Sequence, residues 1–134
     1  MIKEKREVTF LMKVFLIIGA INAALAVALG AFGAHGLEGK LSEKMLEVYK
    51  TGVQYHMYHA LGILAVALIA SKLTNSSLVN WSGWLLFIGI ILFSGSLYVL
   101  SMTGISKLGI ITPFGGLAFI IGWILLVVGA VKGL

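Results

Sequence analysis

From residue 14 to residue 34 the chain carries no charged side chain, and about 20 helical residues at 1.5 Å each cover the roughly 30 Å hydrocarbon thickness of a bilayer. Three more apolar stretches follow, at about 53–70, 81–103 and 112–131. Such runs suit either a deeply buried core or lipid, and composition decides between them. Hydrophobic residues make up 60% of the chain and charged residues 11%, against about 45–50% and about 25% in soluble domains. The mean hydropathy of +1.06 agrees. The fold class that follows is all-α: one domain over residues 1–134, an integral membrane four-helix transmembrane bundle.

The same inventory excludes several kinds of chemistry. The net charge is +5, but Arg6 is the only arginine and the lysines are scattered over termini and loops. A nucleic-acid partner needs a clustered basic face, and none is present. Aspartate is absent and all five glutamates fall outside the apolar runs, which argues against a carboxylate pair or relay within the membrane. There is no cysteine, hence no disulfide and no thiolate chemistry. Ala31-Phe32-Gly33 resembles a signal-peptide cleavage site, but the apolar run before it exceeds the about 7–15 residues of a signal core. The charged residues 1–11 read as a frayed extension outside the bundle.

Small residues mark where the helices meet. At 100° per residue, Gly19, Asn22, Ala23, Ala26, Gly30 and Gly33 share one side of the first span, opposite Ile18, Ile21, Leu25, Leu29 and Phe32. Close backbone approach drives helix association in lipid, where apolar area alone gives no preference. Asn22 lies on that stripe and is expected to bond across to a neighbouring helix. In the third span Ser82, Gly89, Ser96 and Thr103 recur every seven residues, and in the fourth Gly115, Gly122 and Gly129 do the same. A seven-residue period predicts an antiparallel, left-handed pairing of these two spans. Trp81 and Trp84 stand where interfacial anchors belong, the Asn75-Ser76-Ser77 cluster predicts a turn, and Thr112-Pro113 reads as the cap and first turn of the last helix.

The chemically distinctive stretch is residues 51–62, T-G-V-Q-Y-H-M-Y-H-A-L-G. Ser42 predicts an N-cap, followed by an amphipathic interfacial helix that bends into the membrane near Gly52. On its wheel Tyr49, Val53, His56 and Ala60 share the apolar face, and Lys50 and Gln54 the polar one. With His35 at the end of span one, a hairpin would gather His35, His56 and His59 at one membrane surface. The candidate polar cluster or ligand-binding set is His35, His56, His59, Asn22, Gln54, Tyr58 and Ser96. His59 is expected to turn inward and His56 to sit nearer headgroups or water. Carboxylate and thiolate helpers are missing, so no metal site, cofactor or catalytic residue is assigned.

Four ordered motifs, G-A-F-G-A-H-G-L at 30–37, Y-H-M-Y-H-A-L at 55–61, F-S-G-S-L-Y at 93–98 and T-P-F-G-G at 112–116, resemble one family. From Met12 onward the chain is similar to the bacterial membrane proteins called domain of unknown function 423 or uncharacterised protein family 0382, relatives of transmembrane protein 256. The resemblance implies four transmembrane helices and no established activity. It also implies an amide where this chain has His56, so a three-histidine site would be peculiar to this sequence. Three functions stay open: a non-enzymatic helical assembly or hydrophobic-ligand-binding protein, a small transporter or channel, and a histidine-based metal or haem redox protein. The expected surroundings are a lipid bilayer and further copies of the chain, with a hydrophobic small molecule as the candidate ligand. Six basic residues (Lys3, Lys5, Arg6, Lys13, Lys72 and Lys132) against four (Lys40, Lys44, Lys50 and Lys107) place both termini in the cytoplasm by the positive-inside rule.

Overall fold

In lipid no water is present to satisfy backbone amides, so a spanning segment must close its own hydrogen bonds as a helix. The computed structural model describes residues 1–73 and 77–133, and all its regular elements are helical. The first, α1, covers Ile2–Phe32 and ends in a π-helical turn, Gly33–Leu37; α2 covers Glu43–Ala70. The third span consists of α3 (Ser77–Gly89), a π-helical turn (Ile90–Ser94) and α4 (Gly95–Thr103), and after a 3-10 turn (Ser106–Ile110) the chain finishes in α5, Thr112–Gly133. Four helical stretches, Ile2–Leu37, Glu43–Ala70, Ser77–Thr103 and Ser106–Gly133, are long and apolar enough to cross a membrane.

Two local expectations need correction. Residues 2–11 continue α1 as helix instead of fraying. The amphipathic segment and span two are one uninterrupted helix, α2, with no separate interfacial helix. Ser42 does cap it, its hydroxyl accepting from the Met45 N–H at 3.2 Å. Gly52 stays helical because its bare Cα lets the third span approach: a Cβ there would lie 3.1 Å from the Tyr98 ring, and its carbonyl accepts from Ser94 Oγ at 2.7 Å. Trp84 lies within α3. It packs edge-on against Phe15 at 5.4 Å, while Trp81 is exposed. Asn75 and Ser76 of the expected turn lie outside the described residues, and Ser77 opens α3.

The small residues set an antiparallel meander. Along α1, Gly19 faces Leu64 and Ala60, Gly30 faces Val53, and Gly33 faces the Tyr49 ring; Ala26 is also buried. Gly62 of α2 faces Leu86 and Trp123. Between the third span and α5, Ser82 Oγ donates to the Gly122 carbonyl at 2.7 Å, Gly89 meets Phe119 and the Gly115 carbonyl, and Ser96 bonds Thr112 at 2.6 Å. The two spans run antiparallel along these residues, with Gly129 buried farther along. Thr103 drops out of the seam: it is exposed and bonds its own helix at Val99. Thr112, read as a cap, gives its hydroxyl to Ser96 instead.

A core of Phe15, Ile63, Val66, Leu86 and Phe119 fills the meander. The outer faces of α1 (Leu16, Ile21, Leu25) and α5 (Leu117, Ile120, Val127) stay exposed, as helices surrounded by lipid should.

Candidate functional site

On α2 the uncharged layer runs from Lys50 to Lys72, and the 51–71 segment between them spans about 31 Å at 1.5 Å per residue. His59 lies near its middle and His56 one turn before. Both are therefore inside the membrane, at odds with an interfacial cluster.

His56 is 4% exposed and Asn22 7%. The ring reaches two neighbouring helices at once, with Nε2 3.0 Å from Asn22 Oδ1 on α1 and Nδ1 2.9 Å from the Tyr98 hydroxyl on α4. Donor directions follow by elimination. The Ile18 carbonyl can only accept, so the bond at 2.8 Å is donated by Asn22 Nδ2, which leaves Oδ1 as the acceptor toward His56. Nε2 must then carry the hydrogen, and the lone pair on Nδ1 accepts from the Tyr98 O–H. The chain of donors runs Tyr98, His56, Asn22, Ile18, and a neutral imidazole satisfies every link.

Two tyrosines finish this centre. Tyr49, 1% exposed, donates its hydroxyl to the Leu29 carbonyl at 2.5 Å and sets its ring 5.3 Å from that of Tyr98. Ser94, in the π-helical turn, bonds the Gly52 carbonyl one turn before His56. Three spans are thus joined by directed bonds within two turns of α2.

His59 is built differently. At 6% exposure, its ring lies flat on Phe119 of α5, centroids 3.4 Å apart and planes at 8°, with Tyr55 parallel at 6.0 Å and Trp123 at 5.9 Å. Its Nδ1–H donates to the Tyr55 carbonyl at 2.6 Å, one turn back on its own helix. His59 fastens α2 to α5 through ring contact.

Of the candidate set, the structure joins Asn22 with His56 and buries His59 and Ser96 at separate places. Ser96 bonds the Phe93 carbonyl and Thr112. His35 is exposed in the π-helical turn ending α1, and Gln54 and Tyr58 face outward. The three histidines do not converge, and among the described residues no three histidine or acidic side chains are placed to hold an ion together. His59 turns inward as expected, though toward α5, and the expected place of His56 needs correcting. Both point inward, and His56, assigned to headgroups or water, is the more deeply buried. Its place on one wheel face with Tyr49, Val53 and Ala60 was the signal for this. Tyr98 and Ser94 were missed; the only trace was the F-S-G-S-L-Y motif, whose register against α2 depends on packing.

Residues 29–116 match a family model described as a protein of unknown function, DUF423. The chain belongs to this family. The UPF0382 membrane protein YwdK of Bacillus subtilis is 68% identical over 121 residues, covering 90% of this chain and 98% of the relative. The UPF0382 membrane protein SSP2132 of Staphylococcus saprophyticus is 58% identical over 121 residues, 90% of this chain and 99% of its own. No solved structure matches. The DUF423 match includes Tyr49, His56, His59, Ser94 and Tyr98; Asn22 precedes it. The chain is thus a membrane protein of an uncharacterised family, with four membrane-spanning helices.

Proposed function

We propose that this DUF423 protein is a non-catalytic helical scaffold of the bacterial cell membrane, serving assembly or the binding of a hydrophobic molecule, with both termini cytoplasmic. The observation that carries the reading is the use of both His56 ring nitrogens by Asn22 and Tyr98. A histidine that shuttles protons or ligates a cofactor needs a free nitrogen or a path to water. This one is saturated by protein within the uncharged layer.

The orientation is supported by the meander, which puts the turn residues Lys40 and Lys107 at one end and Lys72 and Lys132 at the other. The end with both termini carries the larger basic count. The lipid-facing sides of α1 and α5 offer surface for a further copy of the chain.

Two measurements test this. Liposomes holding purified protein should show no proton, sodium or potassium flux above empty vesicles; robust flux would replace the scaffold with a transporter. Cysteine labelling of Lys40→Cys and Lys132→Cys in intact cells should find position 40 reactive from outside and position 132 protected. The reverse pattern would invert the topology.

A further inference from the structure

Where α1 begins, α2 ends and α3 starts, the bundle holds a half-open cavity of about 190 Å³. Its inner wall is apolar, with Leu11, Phe15 and Leu73 among the lining residues, and its polar lining is Asn80, Ser77 and, at the rim, half-buried Glu4 and exposed Glu7. Asn80 Oδ1 is fully enclosed and has no hydrogen-bond partner, the one such side-chain atom among the described residues. An amide oxygen can only accept, the Glu4 and Glu7 carboxylates bring further oxygens, and Ser77 brings a hydroxyl that can donate or accept. An enclosed acceptor without a donor costs on the order of a lost hydrogen bond, so this space is built for a group that donates and carries positive charge.

The surroundings narrow that group. A calcium ion takes about 6–8 oxygen ligands, and it gains nothing from an apolar wall. A primary ammonium carries three N–H donors on a methylene stem that such a wall accepts. Leu73 packs beside Gly133, so Lys72 and Lys132, each one residue earlier, lie at this same end of the bundle. Both side chains are exposed and add positive charge to this end of the bundle. We propose that the cavity binds the headgroup of a membrane lipid bearing a primary ammonium next to its phosphate. Glu4 and Glu7 fall outside the segment matching the family, so the site belongs to this chain's own amino-terminal turns. The proposal rests on the ligand-binding side of the function above and is independent of the His56 centre.

The test is native mass spectrometry of the full-length protein with a phosphatidylethanolamine and with the phosphatidylcholine of the same acyl chains, which keeps the charge but lacks the N–H donors. Retention of the ethanolamine lipid is expected to be about tenfold or more greater, as a set of charged hydrogen bonds implies. Asn80→Leu and the pair Glu4→Gln, Glu7→Gln should each abolish that preference. Asn80→Leu should melt no lower than the parent without lipid, since it removes an unpaired acceptor. Tail-less phosphoethanolamine at equal concentration should not displace the lipid. Equal retention of the two lipids, an unchanged preference in Asn80→Leu, or full displacement by phosphoethanolamine would each overturn the assignment. None of these outcomes bears on the scaffold reading, which the flux measurement tests separately.

Discussion

The junction of α1, α2 and α4 and the junction of α3 with α5 solve one problem in two ways. Lipid gives apolar surfaces no reason to prefer each other over acyl chains, so both need something besides hydrophobicity. Around His56 that something is directional: a chain of donors across three helices, each link fixed by which atoms can only accept. Along the α5 seam it is proximity, with Gly89, Gly115 and Gly122 admitting neighbouring groups closer than any side chain would allow. The seam holds by shape, and a glycine there cannot be enlarged. The centre holds by atom type, and a residue there can be exchanged if donor and acceptor survive.

Gly115→Leu should break the seam most severely. A Cβ at this position would collide with the Phe93 backbone, which has no rotamer by which to retreat. A loss at or beyond the upper end of the about 1–3 kcal/mol typical of overpacking is expected, read as failure to recover folded protein or as early unfolding in an SDS titration. Ile120→Leu, on the lipid face, should stay within about 0.5 kcal/mol. Comparable losses for the two would mean the helices are not in close contact there.

Next comes His56→Leu, which strips partners from Asn22 and Tyr98 together. Each interhelical bond in a membrane is worth about 0.6 kcal/mol and up to about 1.7, so a loss of about 1–3 kcal/mol is expected in the same titration. His56→Gln keeps an N–H donor and an oxygen acceptor at the end of the side chain, and should recover most of that loss. If glutamine were as damaging as leucine, ring shape and not hydrogen bonding would be what the centre requires.

Smallest is Ser82→Ala, which removes a hydroxyl bond to the Gly122 carbonyl from a seam already held by close packing. About 0.6 kcal/mol is expected. A loss as large as that of His56→Leu would erase the distinction between the two junctions.

How far the sequence showed these regions follows from the same contrast. The seam was legible because repetition of Gly and Ser every seven residues is a property of each helix alone. Span number and the buried stripe of α1 were legible for the same reason. The continuity of α2 was not: Gly52 and the charges before it suggest a break between two segments, and only the approach of Tyr98 and Ser94 shows what the glycine is for. His56 was misplaced because polarity was weighed above its position on the wheel. The Tyr98 partnership depends on how residues 42 apart come together, and no periodicity within one helix encodes that register.

The most direct test of the central claim is ¹⁵N magic-angle-spinning NMR of the His56 ring in lipid bilayers. The hydrogen-bond chain requires a neutral imidazole with hydrogen on Nε2, an unprotonated Nδ1 accepting from Tyr98, and a Nε2–H contact to the Asn22 side chain. A ring protonated on Nδ1, or on both nitrogens, would contradict it.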